Sequence, residues 1–181
     1  MPGHTRPVRK VMHNQDGDLL FSCSDDGKVA VYDTYQCVRT GQFDVLSACN
    51  SIDVTKDSKH VLATCVDGVV IFNVADGSIA AKLYIPGNLK THVKLSFGDK
   101  QFLIIYVDRK VTSIRIYDFA SVISAGQNPE NTPKPLKEID AGNGMEYTSA
   151  CWGPLNKTLY VSTKLGRVQI IDVNSMKVIK D

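Results

Sequence analysis

The 181-residue sequence contains no apolar run approaching the roughly 20 residues that a membrane-spanning helix needs. The opening MPGHTRPVRK is followed by no apolar h-region, so no secretory leader and no membrane partner are expected. The five cysteines, Cys23, Cys37, Cys49, Cys65 and Cys151, include no C-x-x-C pair and show no zinc-ligand spacing with histidine. Reduced, mostly buried thiols in a cytoplasmic protein are the expectation, with no metal site. Lys and Arg number 21 against 19 acidic residues, a net charge of +2. No basic block is present, so direct sequence-specific nucleic-acid binding is not expected. There is no G-x-S-x-G elbow, no G-x-x-x-x-G-K-[ST] or G-x-G-x-x-G phosphate loop and no paired-carboxylate signature. No catalytic residue and no cofactor are expected. Tryptophan occurs once, as Trp152, and no long helical pattern exists. The best helical candidate is a short piece over 118–125.

What the chain does contain is repetition. Four segments end in a bulky residue followed by Asp or Asn: Tyr32-Asp33, Phe72-Asn73, Tyr117-Asp118 and Ile171-Asp172, at spacings of 40, 45 and 54 residues. Upstream of each, apolar residues alternate: Val29 and Val31, Val69 and Ile71, Ile114 and Ile116, Val168 and Ile170. Period-two alternation gives a strand one buried face. A unit of about 40–45 residues holding four strands is the signature of a propeller blade. The predicted fold is therefore all-β, a propeller of about four blades, each of four antiparallel strands.

As a single domain over 1–181, the blades fall at about 3–43, 44–83, 84–139 and 140–181. In the first, Leu19–Cys23 and Lys28–Tyr32 form a hairpin around Ser24-Asp25-Asp26-Gly27. In the second, 47–55 reads as the first strand, and Asp67-Gly68 joins the central pair in a predicted type I′ turn, which needs positive φ at both positions. The third begins near Pro86-Gly87, has a longer hairpin holding Asp108 and Arg109, and carries an insertion at 124–137. That insertion, SAGQNPENTPKPLK, has three prolines and two asparagines and reads as an exposed loop. The fourth opens at Gly142-Asn143-Gly144. Trp152 is expected to pack a blade or brace the turn at Gly153-Pro154.

His4, Ser22, Asp26 and Tyr32 resemble the hydrogen-bonded tetrad of WD repeats, in which His, Ser or Thr, Asp and Trp link strands within a blade. Such a network satisfies buried polar groups and fixes the hairpin. Tyr32 stands where the family has Trp. The competing reading is that Asp26 only braces its own turn. SCSDDGKVAVYD aligns with the WD ending without a gap.

Two stretches are more specific. GHTRPVRKVMHNQDGDLLFSCS resembles the opening repeat of the WD-repeat family of subunit I of eukaryotic translation initiation factor three, and TSACWGPL, at 148–155, resembles the start of that family's fourth repeat. The resemblance implies a propeller of seven-bladed type, of which about four blades are present, so an open partial ring is expected. It implies a non-catalytic scaffold that docks against subunits B and G, lies near the small ribosomal subunit and works in the cytoplasm. The residues contacting partners are not identified by it. The alternative is a WD-repeat adaptor of another assembly, a ubiquitin ligase or a signalling complex.

Overall fold

A computed structural model of the chain describes residues 3–85, 90–108, 111–142 and 145–181. The expected unit starts at Pro86-Gly87 and Asn143-Gly144, and Arg109 of the third hairpin, lie outside the described residues. Among those described, the strands form four antiparallel sheets of four, each ordered as in the chain. The first holds β1 (Val8–His13), β2 (Leu19–Ser24), β3 (Lys28–Asp33) and β4 (Val38–Asp44). The second holds β5 (Ile52–Val54), β6 (His60–Cys65), β7 (Gly68–Asn73) and β8 (Ile79–Tyr84). The third holds β9 (Lys90–Leu95), β10 (Gln101–Asp108), β11 (Val111–Asp118) and β12 (Lys137–Asp140). The fourth holds β13 (Tyr147–Trp152), β14 (Thr158–Thr163), β15 (Val168–Asp172) and β16 (Lys177–Lys180).

The sheets pack face to face in sequence, and three apolar clusters fill the seams. Val29 and Val31 of the first sheet meet Val61, Val70 and Phe72 of the second, with Phe43 and Phe72 stacked at 5.3 Å. Val69 and Ile71 of the second meet Phe102 and Ile104 of the third. Ile114 and Ile116 of the third meet Leu159, Val161 and Ile171 of the fourth. Each such side chain, once fully buried, stabilises the fold by roughly 1.5–3 kcal/mol. The alternating pairs read from the sequence are thus the faces each sheet turns to its successor. Val168 and Ile170 occupy the same phase in the fourth sheet, but no fifth sheet lies against them among the described residues, and Val168 is 60% exposed. The inner strands run in order, β1 beside β5, β5 beside β9 and β9 beside β13, and among the described residues no comparable seam joins the first sheet to the fourth. The architecture is an open propeller arc.

Three local expectations differ from the structure. The second hairpin pairs Cys65 with Gly68, so its two-residue loop is Val66-Asp67 and neither residue has positive φ. Gly68 instead opens β7 at φ 149, where a Cβ would overlap the Leu83 carbonyl oxygen of β8. Glycine is needed there for close approach, not for a type I′ turn. The strand expected over 47–55 is cut to β5. Leu46 turns the chain at φ 68, and side-chain bonds then replace part of the ladder: Val66 N–H donates to Ser47 Oγ at 3.1 Å and Ser51 N–H to Thr64 Oγ1 at 2.9 Å. The insertion at 124–137 is not wholly loop, since it holds a 3-10 turn at Pro129–Asn131, and the short helix expected over 118–125 is present just before it. Asp118 caps α1 (Phe119–Ala125) by accepting from Ser121 N–H at 2.8 Å. Beyond it, Gly126 accepts from Lys82 N–H at 2.9 Å, and Gln127 Nε2 donates to the Ile79 carbonyl at 3.0 Å. The third unit thereby covers the outer edge of the second, leaving β8 less open to stray strand pairing.

Candidate functional site: a buried hydrogen-bond network and the inner strands

The turn after β2 organises the first sheet. Gly27 N–H donates to the Ser24 carbonyl at 3.2 Å, and Gly27 itself adopts φ 78. That geometry aims the Asp26 carboxylate back over the sheet, where Lys28 N–H and Thr5 N–H donate to it at 3.1 and 3.0 Å. His4 completes the arrangement. Its Nδ1 stands 3.1 Å from both Asp26 oxygens and its Nε2 2.7 Å from Ser22 Oγ. With the proton on Nδ1 facing the carboxylate, Nε2 accepts from the Ser22 hydroxyl. Both charged-capable side chains are only 4% exposed. Burial alone would raise the Asp26 carboxyl, but the Thr5 N–H, the His4 ring and Ser24 outweigh it and hold it below its ordinary value.

Tyr32 is brought close without extending that chain of bonds. It is buried, and its hydroxyl lies against Gly3, where any Cβ would collide with it. No hydrogen bond links Tyr32 to Ser22 among the described residues, so three of the four sequence candidates form one network and the fourth packs beside it.

Ser, His and Asp in this order of contact have the distances of a nucleophilic triad. Ser22 is nevertheless buried within β2 and paired to Ala30 of β3, and two cavities of about 360 and 470 Å³ are lined by other side chains. A nucleophile needs space for a substrate and donors for its oxyanion. The bonds here tie the segment at Gly3–Thr5 to the hairpin.

A second polar array runs along the inner strands and was not read from the sequence. Asp53 of β5 is 1% exposed and accepts from Leu95 N–H at 2.6 Å and from Lys94 Nζ at 3.0 Å, joining the second sheet to the third. Lys10 Nζ donates to Ser51 Oγ at 3.3 Å, joining the first to the second. Burial lowers the Lys10 ammonium and Lys94 lowers it further, while Asp53 opposes them. His92 Nε2 meets the Ala150 carbonyl at 2.9 Å, and the Trp152 indole N–H donates to the Lys94 carbonyl at 3.1 Å, joining the third to the fourth. Trp152 thus fills the expected packing role, within the third apolar cluster. These inner ends converge on an open cavity of about 360 Å³ touched by all four sheets, among them Met12, Asp53, Lys94 and Trp152. A lone Asp in a short apolar run was the only available signal, because each bond crosses a seam between residues some 40–60 positions apart.

Of the cysteines, Cys23, Cys49 and Cys65 are buried, while Cys37 and Cys151 are exposed. Cys151 faces outward because β13 alternates and its neighbours Ala150 and Trp152 take the seam. No group of His, Cys, Asp and Glu with metal-binding geometry occurs among the described residues.

Against known proteins, residues 1–33 match the family described as WD domain, G-beta repeat. The chain is 30% identical over 190 residues to eukaryotic translation initiation factor 3 subunit I of Dictyostelium discoideum, covering 98% of this chain and 52% of that protein. The subunit I of Saccharomyces cerevisiae is 28% identical over 180 residues, and that of Drosophila melanogaster 26% over 183. The chain is a homologue of eukaryotic translation initiation factor 3 subunit I. It spans about half the length of the curated relatives it matches. The matched repeat at 1–33 is the part of the subunit I homologue that holds the His4–Ser22–Asp26 network.

Proposed function

We propose that this chain acts as a non-catalytic scaffold within eukaryotic translation initiation factor 3. The observation carrying the reading is similarity to proteins of that one name along 97–100% of the chain. The fold suits the role. A rigid arc whose sheets are tied by seam-crossing bonds holds its turns at set angles for partner chains. In this reading the chain is a single propeller domain, and its blades follow the divisions at about 3–43, 44–83, 84–139 and 140–181. His4, Ser22 and Asp26, with Tyr32 packed beside them, are structural rather than catalytic.

The proposed partners are other subunits of the factor, chiefly B and G, with the small ribosomal subunit reached through them in the cytoplasm. Among the described residues, no helix is long and apolar enough to cross a membrane. The test is affinity purification of the tagged full chain from a eukaryotic extract. Recovery of subunits B and G, with small ribosomal subunits following them, is the expected result. Recovery of a ubiquitin-ligase core or a signalling complex without those subunits would overturn it.

A further inference from the structure

Three thiols lie in the apolar cluster between the first and second sheets, and two of them form a pair. Cys23 is the next-to-last residue of β2, Cys49 lies three residues before β5, and both are 0% exposed. The Cys49 N–H donates to the Ser24 carbonyl at 3.1 Å, which clamps the backbone carrying Cys49 to the residue next to Cys23. The two side chains act on each other, each shifting the other's thiol. Cys65 lies in the same cluster, but no thiol acts on it, and burial simply pushes it up.

The surroundings are polar on one side. Lys10 is the cross-strand neighbour of Cys23, and its ammonium reaches Ser51, two residues beyond Cys49. The Cys49 Sγ also lies 3.5 Å from the Ser51 carbonyl. Cys49 draws the Cys23 thiol below its ordinary value against the opposing effect of burial, and the Lys10 charge helps. The same interaction, with burial, holds the proton on Cys49. One thiol of the pair is therefore the better nucleophile and the other the better proton donor.

We propose that Cys23 and Cys49 are an oxidisable dithiol that a hydroperoxide converts to a disulfide, joining the first sheet covalently to the second. The Cys23 thiolate attacks one peroxide oxygen, the O–O bond breaks, and the departing hydroxide takes the released proton to leave as water. The sulfur of Cys49 then displaces the hydroxyl from the Cys23 sulfenic acid. The S–S bond forms, the S–O bond breaks, and the second water carries away the Cys49 proton. Both sulfurs together lose two electrons and the peroxide gains two. Because the pair is buried, the reagent enters as the seam opens, so this reaction is slower than oxidation of exposed Cys151.

The test uses the full chain treated with hydrogen peroxide, alkylated under denaturing conditions and digested with trypsin without reduction. Trypsin separates Cys23, in residues 11–28, from Cys49, in residues 40–56, and from Cys65, in residues 60–82. The expected product is a cross-link between the first two peptides, with loss of two hydrogens and recovery on reduction. Lys10→Met is expected to form it about tenfold more slowly, with Cys151 oxidised at an unchanged rate. Because Cys49→Ala could perturb packing, the decisive reading is on the unsubstituted chain. Free Cys23 and Cys49 after an exposure about a hundredfold longer than the one that fully oxidises Cys151, or a cross-link of Cys23 to Cys65 instead, would overturn the proposal. An unchanged rate in Lys10→Met would remove Lys10 from it.

Discussion

The imidazole of His92, on β9, donates from Nε2 to the Ala150 carbonyl of β13 at 2.9 Å, fastening the third sheet to the fourth. Burial is the chief reason that its pKa falls to about 4, and the nearby Lys10 ammonium pushes in the same direction. Lys94 adds to this, while the Ala150 carbonyl and the Asp53 carboxylate pull the other way. The unfolded chain would protonate this histidine near pH 6.5, whereas the folded chain keeps it neutral down to about 4. The unfolded state thus binds more protons in that window, so stability falls as the pH drops from 6.5 to 4 and is fully present above it. The loss is on the order of 2–3 kcal/mol. Urea unfolding midpoints at pH 7 and pH 4.5 measure it. His92→Gln, which keeps an N–H donor but cannot titrate, should show a smaller drop between the two.

Deleting any member of the His4 network leaves another buried polar group without its partner. His4→Ala and Asp26→Ala should each destabilise the chain by about 1–3 kcal/mol. Asp26 accepts from Thr5 and Lys28 as well as His4, so its loss should be the larger. The double variant should cost clearly less than the sum, because the two side chains act as one unit. Additive losses in denaturant unfolding would mean that Asp26 only braces its own turn. The carboxyl sits below its ordinary pKa in the folded chain, so its share of the stability is present above about pH 4 and is lost as the pH falls further.

Gly68 offers a sharper local test. Its φ of 149 and its approach to the Leu83 carbonyl leave no room for a side chain. Gly68→Ala should destabilise the second sheet by about 2–4 kcal/mol through backbone displacement. Gly17→Ala, at φ 77 with nothing within 4 Å of its Cβ, should cost about 1 kcal/mol from conformation alone. Thermal unfolding of the two variants separates steric exclusion from conformational preference.

Gly68 also marks where a linear reading stops. Asp-Gly between apolar runs correctly announced a hairpin, but the register moved by one residue because Gly68 answers to β8, a strand met later in the chain. Strand identity was legible throughout, since alternation is a local property and Val29, Val69 and Ile114 all face the next sheet. His4, Ser22 and Asp26 were legible because they match a recurring pattern. Asp53, Lys94 and His92 were not, because their partners lie on other sheets and no spacing encodes them.

The phase of that alternation also separates two valines that look alike in sequence. Val69 is fully buried in the seam between the second and third sheets, and Val168, in the matching position of β15, is 60% exposed. An aspartate at 69 would be buried among Leu62, Ile71 and Phe102 without a partner, so Val69→Asp should destabilise by more than about 3 kcal/mol or prevent folding. Val168→Asp should change stability by no more than about 0.5 kcal/mol, since its side chain already meets water. It should also make the chain less prone to self-association by breaking an apolar face that includes Tyr160. Denaturant unfolding and light scattering of the two variants measure these effects. A large loss of stability from Val168→Asp would show that this face is covered, and the arc would then have to close differently from the open form described.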